Sequence, residues 1–171
     1  MKFIDLIKKR HSIRSFKEQL ISEQILNELL EGANLAPSAG NLQSYEMYIA
    51  TDSALKKQLS QAAWNQNFIS EAPVTIVFCA NLKRSSSKYG KRGEELYSVQ
   101  DATIAAAYFQ LAAVDLGLAT VWVGAFDEFQ VKKIMNLPDH IRPVALIPVG
   151  YSNESPAETP RRTLKDIVHK L

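Results

Sequence analysis

The chain has 171 residues, 46% of them hydrophobic and 22% charged, which is the balance of a globular domain long enough to form one core over residues 1–171. Its net charge of +2 is too small to indicate nucleic acid or an anionic membrane as a partner, and no apolar run approaches the roughly 18–20 residues of a membrane span. A single cysteine excludes a disulfide framework and a thiolate zinc site, and the start lacks a signal-peptide core, so we expect a cytoplasmic protein.

The first half of the chain alternates helical patterns with strands. The predicted elements are helices over 2–10, 22–35 and 52–63, a loop over 36–41, and strands over 46–50 and 74–80. Ser22 stands where a helix N-cap is expected. The continuous apolar run 74–80 is typical of a central strand, in which Cys79 would be a buried structural thiol.

The second half contains the longest helical pattern. The predicted elements are a polar, flexible loop over 81–93, helices over 94–116 and 128–135, strands over 118–123 and 143–150, an extended tail over 152–160 and a final helix over 164–171. The long helix ends at Gly117, which is expected as its C-cap. Its many alanines favour close packing against other helices, either within the chain or across a dimer interface. This order predicts an α+β fold, and the polar tail must lie on its own body or on a second subunit.

The segment Arg10-His11-Ser12-Ile13-Arg14 is a candidate anion site. In an extended segment, Arg10, Ser12 and Arg14 share one face while His11 and Ile13 point to the other. Two guanidinium groups and a hydroxyl suit a phosphate or a delocalised anion. The alternative is a solvated basic turn.

Four further segments offer polar or small residues at loops. They are the Pro37–Gln43 loop, the Asn65-Gln66 amides, the Trp122–Phe126 segment with its glycine, and the Pro160–Arg162 basic pair. Taken singly, each also fits an ordinary turn, surface amides, a strand end or exposed tail arginines. No glycine-rich nucleotide loop and no Gly-x-Ser-x-Gly elbow occurs, and the three histidines have no metal-binding spacing, so side chains must build any anion site.

Together, these segments resemble the FMN-dependent nitroreductase family. The similarity runs from Asp5-Leu6-Ile7-x-x-Arg10 to residues 164–168, and its most specific parts are the Arg10–Arg14 segment, the Pro-Ser-x-x-Asn-x-Gln loop and the stretch from Asp115 to Phe126. The resemblance implies a central mixed or antiparallel sheet flanked by helices. It also implies an intertwined homodimer with an exchanged C-terminal tail and one FMN at each of two interface sites.

The same resemblance assigns roles at the phosphate end of FMN. Arg10 and Arg161 would hold the phosphate, and Ser12 would support the phosphate or the ribityl chain. Arg14 would lie near the pyrimidine end of the ring, where negative charge accumulates on reduction. Some members carry a phosphate-binding lysine where this chain has Thr159, and Arg162 would compensate for it.

At the ring, Asn65 would bind the polar edge, while Gly124 and Ala125 would present backbone N–H groups to the redox edge. The other subunit would supply the 37–39 segment. The full implied cofactor-binding set is Arg10, His11, Ser12, Arg14, Pro37, Ser38, Ala39, Asn41, Gln43, Asn65, Gly124, Ala125, Arg161 and Arg162.

The implied activity is hydride transfer from NADH or NADPH through FMN to a nitroaromatic, quinone or similar small conjugated acceptor, in a ping-pong cycle. No dedicated catalytic side chain is expected. Residues 83–95, with Tyr89 and Tyr97, would form a wall or lid over the flavin or remain a solvated loop. The alternatives are a dehalogenase or flavin-destroying relative on the same fold, a flavin carrier or sensor without turnover, and a non-flavin protein with a basic turn.

Overall fold

A computed structural model describes residues 2–171 and contains a four-stranded antiparallel sheet in the order β1–β2–β4–β3. The strands are β1 (Tyr45–Ala50), β2 (Val74–Asn81), β3 (Ala119–Thr120) and β4 (Ile141–Gly150). The helices are α1 (Phe3–Lys9), α2 (Glu23–Asn34), α3 (Ser53–Ala62), α4 (Phe68–Glu71), α5 (Leu82–Arg92), α6 (Ser98–Asp115) and α7 (Glu128–Ile134). Shorter turns are the 3-10 turns Ala39–Asn41 and Leu164–Asp166 and the π-helical turn Gly93–Tyr97. The α+β prediction is confirmed.

The central position of β2 is also confirmed, because it pairs with β1 on one side and β4 on the other. Helices α2 and α6 pack on one face of the sheet, where Phe78 and Phe109 meet edge-to-face with ring centroids 5.5 Å apart. Helices α3 and α7 cover the opposite face, around Leu59, Val77 and Leu146. Burial on both faces explains why β2 reads as a continuous apolar run.

Polar caps set the starts of three helices. The Ser22 hydroxyl accepts a hydrogen bond from the Ile25 N–H at 3.3 Å, and the Asp52 carboxylate accepts one from the Leu55 N–H at 2.8 Å. Asp127 caps α7 in the same way. These bonds satisfy N–H groups that a helix start leaves unpaired, so the predicted starts at Ser22 and Asp52 are confirmed.

The prediction of a flexible loop over 81–93 is wrong, because these residues form α5. The Asn81 side chain accepts from the Arg84 N–H at 3.0 Å and starts the helix. The helix kinks at Gly90 and leads into the π-helical turn, so the long helix predicted from 94 begins as α6 at Ser98. The start of the π-helical turn packs closely against the middle of α5, since a Cβ on Gly93 would lie 2.5 Å from the Ser85 carbonyl oxygen.

The predicted strand over 118–123 is shorter than expected. Pairing of β3 with β4 stops after Thr120, and a single bridge joins Val123 to Leu146 in the same register. That register sets Val121 opposite Pro148, which has no N–H to donate, so the ladder is interrupted there.

The predicted helix over 164–171 is also wrong, since only the turn Leu164–Asp166 forms. The whole tail over 153–171 is exposed, and without a buried face a short helix is not stable in water. None of the helices formed by residues 2–171 has the length and apolar content that a bilayer crossing requires.

Candidate functional site: a cationic cavity beside the C-terminal tail

A cavity of about 500 Å³ lies between the segment after α1 and the C-terminal tail. Its lining residues are Arg10, His11, Ser12, Arg14, Glu154, Pro156, Ala157, Thr159 and Arg161. The structure therefore brings together the basic segment predicted from the sequence and one arginine of the tail pair, which lies about 150 residues further along the chain.

Pairing beside β3 orients the basic segment. The Ile13 N–H donates to the Thr120 carbonyl at 3.0 Å, and the Ile13 side chain is only 4% exposed. Its burial turns Ser12 and Arg14 toward the cavity, as the alternation predicts. His11 also lines the cavity, contrary to that alternation. The segment bridges β3 only at Ser12, so no continuous ladder imposes the alternation on His11.

Three guanidinium groups, those of Arg10, Arg14 and Arg161, line the cavity together with one carboxylate, that of Glu154, so its net charge is positive. Partial burial, and secondly the nearby charge of Arg161, lower the pKa of Arg10. Arg161 donates to the carbonyl oxygen of Thr159, its own neighbour in the tail, at 3.1 Å. Within residues 2–171, neither Arg10 nor Arg161 forms an ion pair with a carboxylate. Such a donor set fits an anion with several acceptor oxygens, and a phosphate group meets that description.

Glu154 is a site residue that the sequence reasoning missed. Its carboxylate accepts from the backbone N–H groups of Arg14 and, at 3.2 Å, of Ser15. The Asn153 N–H donates to the Ser15 carbonyl at 2.9 Å beside it. These bonds hold the root of the tail against the basic segment. No spacing in the sequence signals a contact over 140 residues.

Arg14 links the cavity to the next group of predicted residues. Its guanidinium lies over the Phe68 ring, 6.0 Å from the centroid, which is within cation–π range. Phe68 follows the turn at Asn65, whose side chain is exposed. The Gln66 amide donates to the carbonyl of Ala63 at 2.8 Å and to that of Ala125 at 3.1 Å. Gln66 therefore joins the Asn65 turn to the segment that contains Gly124 and Ala125.

Gly124 itself lines a different and smaller cavity of about 210 Å³. That cavity is bordered by the ion pair between Arg142 and Glu128, whose Nε and Oε1 atoms are 3.1 Å apart. Gly124 and Ala125 are both exposed, so their backbone is open to a ligand.

The loop of residues 37–43 forms a third group. The Ser38 hydroxyl accepts from the Gln43 N–H at 2.9 Å, and the Gln43 amide donates to the Asn41 side chain at 3.1 Å. Pro37, Ser38 and Ala39 line a mainly apolar cavity of about 540 Å³ against α6. In a single chain they do not line the cationic cavity.

Asp101 is a second residue that sequence reasoning missed. Its carboxylate, only 2% exposed, accepts from the Ala39 N–H at 2.9 Å and from the Ser44 N–H at 3.3 Å. Ionised acceptors make stronger hydrogen bonds than neutral ones, so this side chain on α6 holds both ends of the loop.

Arg162 is placed differently from Arg161. Its guanidinium donates to the Asp166 carbonyl at 2.6 Å within the tail, and it does not line the cationic cavity. Cys79 lies in the core of β2, where burial raises the pKa of its thiol to about 12. A thiol in that setting is not a nucleophile.

Comparisons with known proteins agree with this fold. The Nitroreductase family model matches residues 7–151. A Thermus thermophilus protein named NADH dehydrogenase is 29% identical, over 94% of this chain and 91% of its own. A Bacillus subtilis protein named FMN reductase (NADPH) is 27% identical, over 98% of this chain and 72% of its own. The structure also resembles that of a nitroreductase family protein from Streptococcus pneumoniae, with a TM-score of 0.90 and 26% identity over 99% of this chain and 100% of that one. The family match spans the basic segment, the sheet and the 124–125 turn, and on this ground the chain belongs to the nitroreductase family.

Proposed function

We propose that this protein is an FMN-dependent NAD(P)H oxidoreductase that reduces a small conjugated acceptor, such as a nitroaromatic or a quinone, in a ping-pong cycle. The observation that carries the proposal is the pair Arg10 and Arg161 in one cavity, without a carboxylate partner in the described chain. The names of the relatives, an NADH dehydrogenase and an FMN reductase (NADPH), support the same chemistry.

In this proposal Arg10, Arg161 and Ser12 hold the FMN phosphate, with His11 on the same wall of the cavity. When bound there, FMN would supply two-electron redox chemistry between the nicotinamide and the acceptor. Arg14 contributes a fixed positive charge, because stacking on Phe68 and the backbone contact with Glu154 hold its segment in place. A fixed charge stabilises negative charge that develops on the ring without reorganising solvent.

The ring would lie against Asn65, Gly124 and Ala125. The Gln66 amide positions these residues, since it bonds the carbonyl oxygens on both sides of the gap between the two segments. These three residues are exposed, so a ring bound against them would be accessible to the donor and afterwards to the acceptor. No side chain is assigned as an acid or a base, and protons pass to and from solvent.

We also propose a homodimer in which the partner supplies residues 37–39 to the site. Two features support it. The apolar side chains Phe3 and Ile4 of α1 are exposed in the single chain, as is Tyr108 on α6. The 37–39 loop, which the family resemblance assigns to the cofactor, lines a different cavity from Arg10 and Arg161, so within this proposal a second copy supplies it.

Anaerobic absorption spectroscopy tests the function. The purified protein is given FMN, and its visible spectrum is recorded before and after NADH and then NADPH are added. Bleaching of the flavin band, with reoxidation by a quinone, is the expected result. Bound flavin that stays oxidised with both donors indicates a carrier or sensor, and protein that fails to take up FMN rejects the proposal.

A further inference from the structure

A second polar cavity, of about 440 Å³, lies between α3 and α7. The side chains that matter there are Gln58, Gln61, Trp64, Asp127, Gln130 and Ile134. We call it the α3–α7 groove. Asp127 is two residues beyond Ala125, at most about 7 Å of backbone, and its N–H donates to the Ala62 carbonyl at 2.8 Å. The groove therefore begins beside the proposed ring site.

Trp64 lines this groove with an exposed side chain and a left-handed backbone conformation. Its side chain is 67% exposed, and its φ of 59° lies in the left-handed region, as does the φ of 60° at Asn65. Bulky residues rarely adopt this conformation, whereas asparagine tolerates it, so the backbone strain lies at Trp64. Three hydrogen bonds hold the turn: Asn65 N–H to the Ser60 carbonyl at 2.9 Å, the Ser60 hydroxyl to the Gln66 carbonyl at 2.9 Å, and the Gln66 amide to Ala63.

Strain that the surroundings enforce clusters at ligand sites. Here the enforced strain does not serve core packing, because the indole remains in solvent. It presents a flat aromatic surface at the edge of a cavity. Aromatic side chains held in this way are suited to stacking against a planar heterocycle.

The other groove residues specify what kind of heterocycle fits. Three glutamine amides carry donors and acceptors together, and a glutamine amide matches the donor–acceptor edge of adenine. One carboxylate oxygen of Asp127 accepts from the Gln130 N–H at 3.0 Å, which leaves the other oxygen for a ribose hydroxyl. Within residues 2–171, no lysine or arginine lines the groove. The only charged lining residue is Asp127, which would repel a phosphate.

We propose that the α3–α7 groove binds the adenosine half of NADH, a proposal that rests on the function proposed above. The adenine stacks on Trp64 and is read by the glutamine amides. The Asp127 carboxylate accepts from the ribose 2′-hydroxyl, as acidic residues do in other NAD sites. It repels the 2′-phosphate of NADPH, so NADH is the preferred donor.

Kinetics with a truncated donor test this subsite. Reduced nicotinamide mononucleotide lacks the adenosine half, so Trp64→Ala is expected to raise KM for NADH about tenfold, a difference of about 1.4 kcal/mol, without changing KM for the truncated donor. The kcat for either donor should stay the same. Trp64→Gly accepts the positive φ and serves as a second variant if Trp64→Ala folds poorly. Phe129→Ala, which removes a 73% exposed aromatic on α7 outside the groove, is the matched control and should change neither KM.

The nucleotide preference is tested with Asp127→Asn, because asparagine caps a helix as well as aspartate does. In this variant, the KM for NADPH divided by the KM for NADH should fall toward one, because the charge that repels the 2′-phosphate is gone. Equal KM values for the two donors in the unchanged protein, or an equal rise in KM for NADH and the truncated donor in Trp64→Ala, would overturn the assignment.

A binding measurement separates this proposal from the flavin chemistry. Titration of the FMN-free protein with adenosine, which carries no phosphate for Asp127 to repel, should quench tryptophan fluorescence. Trp64→Phe should abolish the change, since Trp122 is the only other tryptophan. Absence of quenching overturns the groove proposal even if NADH reduces the flavin. Quenching in a protein whose flavin no donor reduces supports the groove and rejects the proposed function.

Discussion

Replacement of Arg161 by alanine should weaken FMN binding while leaving the fold of the FMN-free protein intact. Arg161 stands on an exposed tail and, within residues 2–171, forms no ion pair. Its charge contributes to lowering the pKa of the half-buried Arg10, which means that the two guanidinium groups repel each other when no anion is present. Loss of Arg161 therefore removes a repulsion from the free protein and an attraction from the complex.

The expected magnitude follows from the bonds that an arginine makes to a phosphate. One charge-assisted hydrogen bond is worth about 1.5–3 kcal/mol, so Arg161→Ala should raise the Kd for FMN roughly 10- to 100-fold. Arg10→Ala should have a similar effect, and the double variant should lose about 10²- to 10⁴-fold if the two contributions add. The melting temperature of the FMN-free Arg161→Ala protein should be unchanged or slightly higher.

Flavin fluorescence titration gives the Kd, and a thermal melt without FMN gives the stability. Arg162→Ala is the matched control, because its guanidinium bonds the Asp166 carbonyl in the tail and does not line the cavity. If Arg162→Ala weakens FMN binding as much as Arg161→Ala does, general charge explains the affinity and the assignment of Arg161 to the phosphate is wrong.

Three further outcomes are expected. Asp101→Asn should lower the free energy of unfolding by about 2–3 kcal/mol, since two backbone N–H groups lose an ionised acceptor; urea denaturation measures this, and a loss below about 0.5 kcal/mol contradicts the role of Asp101. Cys79 should stay unmodified by a thiol reagent at pH 8 until the protein unfolds, because a pKa of about 12 leaves roughly one thiol in ten thousand ionised; equal rates in native and unfolded protein would refute this. Gly93→Ala should lower the free energy of unfolding by about 1–3 kcal/mol, because the new Cβ would overlap the Ser85 carbonyl oxygen. Ser87→Ala, on the exposed side of α5, should change it little. Equal effects of the two variants would contradict the tight packing of Gly93 against Ser85.

Local patterns predicted most of the secondary structure. The caps at Ser22 and Asp52 and the apolar run of β2 are short-range signals, and each acts through neighbouring backbone groups. Helix α5 was not predicted, because its local sequence signal is weak. Only Ser85 is fully buried, and Leu82 and Tyr89 are the only large apolar side chains of this very polar helix, so too few apolar residues mark its inner face.

Features that depend on tertiary register could not be predicted from the sequence. Pro148 interrupts the pairing of β3 only because the register sets it opposite Val121. Glu154 and Asp101 looked like ordinary charged residues, yet each accepts bonds from backbone far away in sequence. The alternation placed Arg10, Ser12 and Arg14 on one side, where they line one cavity, but it did not place His11 there with them. The different placement of Arg161 and Arg162 depends on the path of the tail.

The way in which the tail is attached has a consequence for how ligand binding can be observed. Its root is held by Glu154, and every residue from 153 to 171 is exposed, so Arg161 reaches the cavity on a segment with no packing of its own. An anion that bonds both Arg10 and Arg161 acts as a second point of attachment for the tail. Because such an anion binds only when the tail lies against the cavity, its binding stabilises the attached position of the tail. Trypsin, which cleaves after arginine, should therefore cut at 161–162 more slowly as FMN is added, and the cleavage rate becomes a measure of cofactor occupancy that requires no turnover.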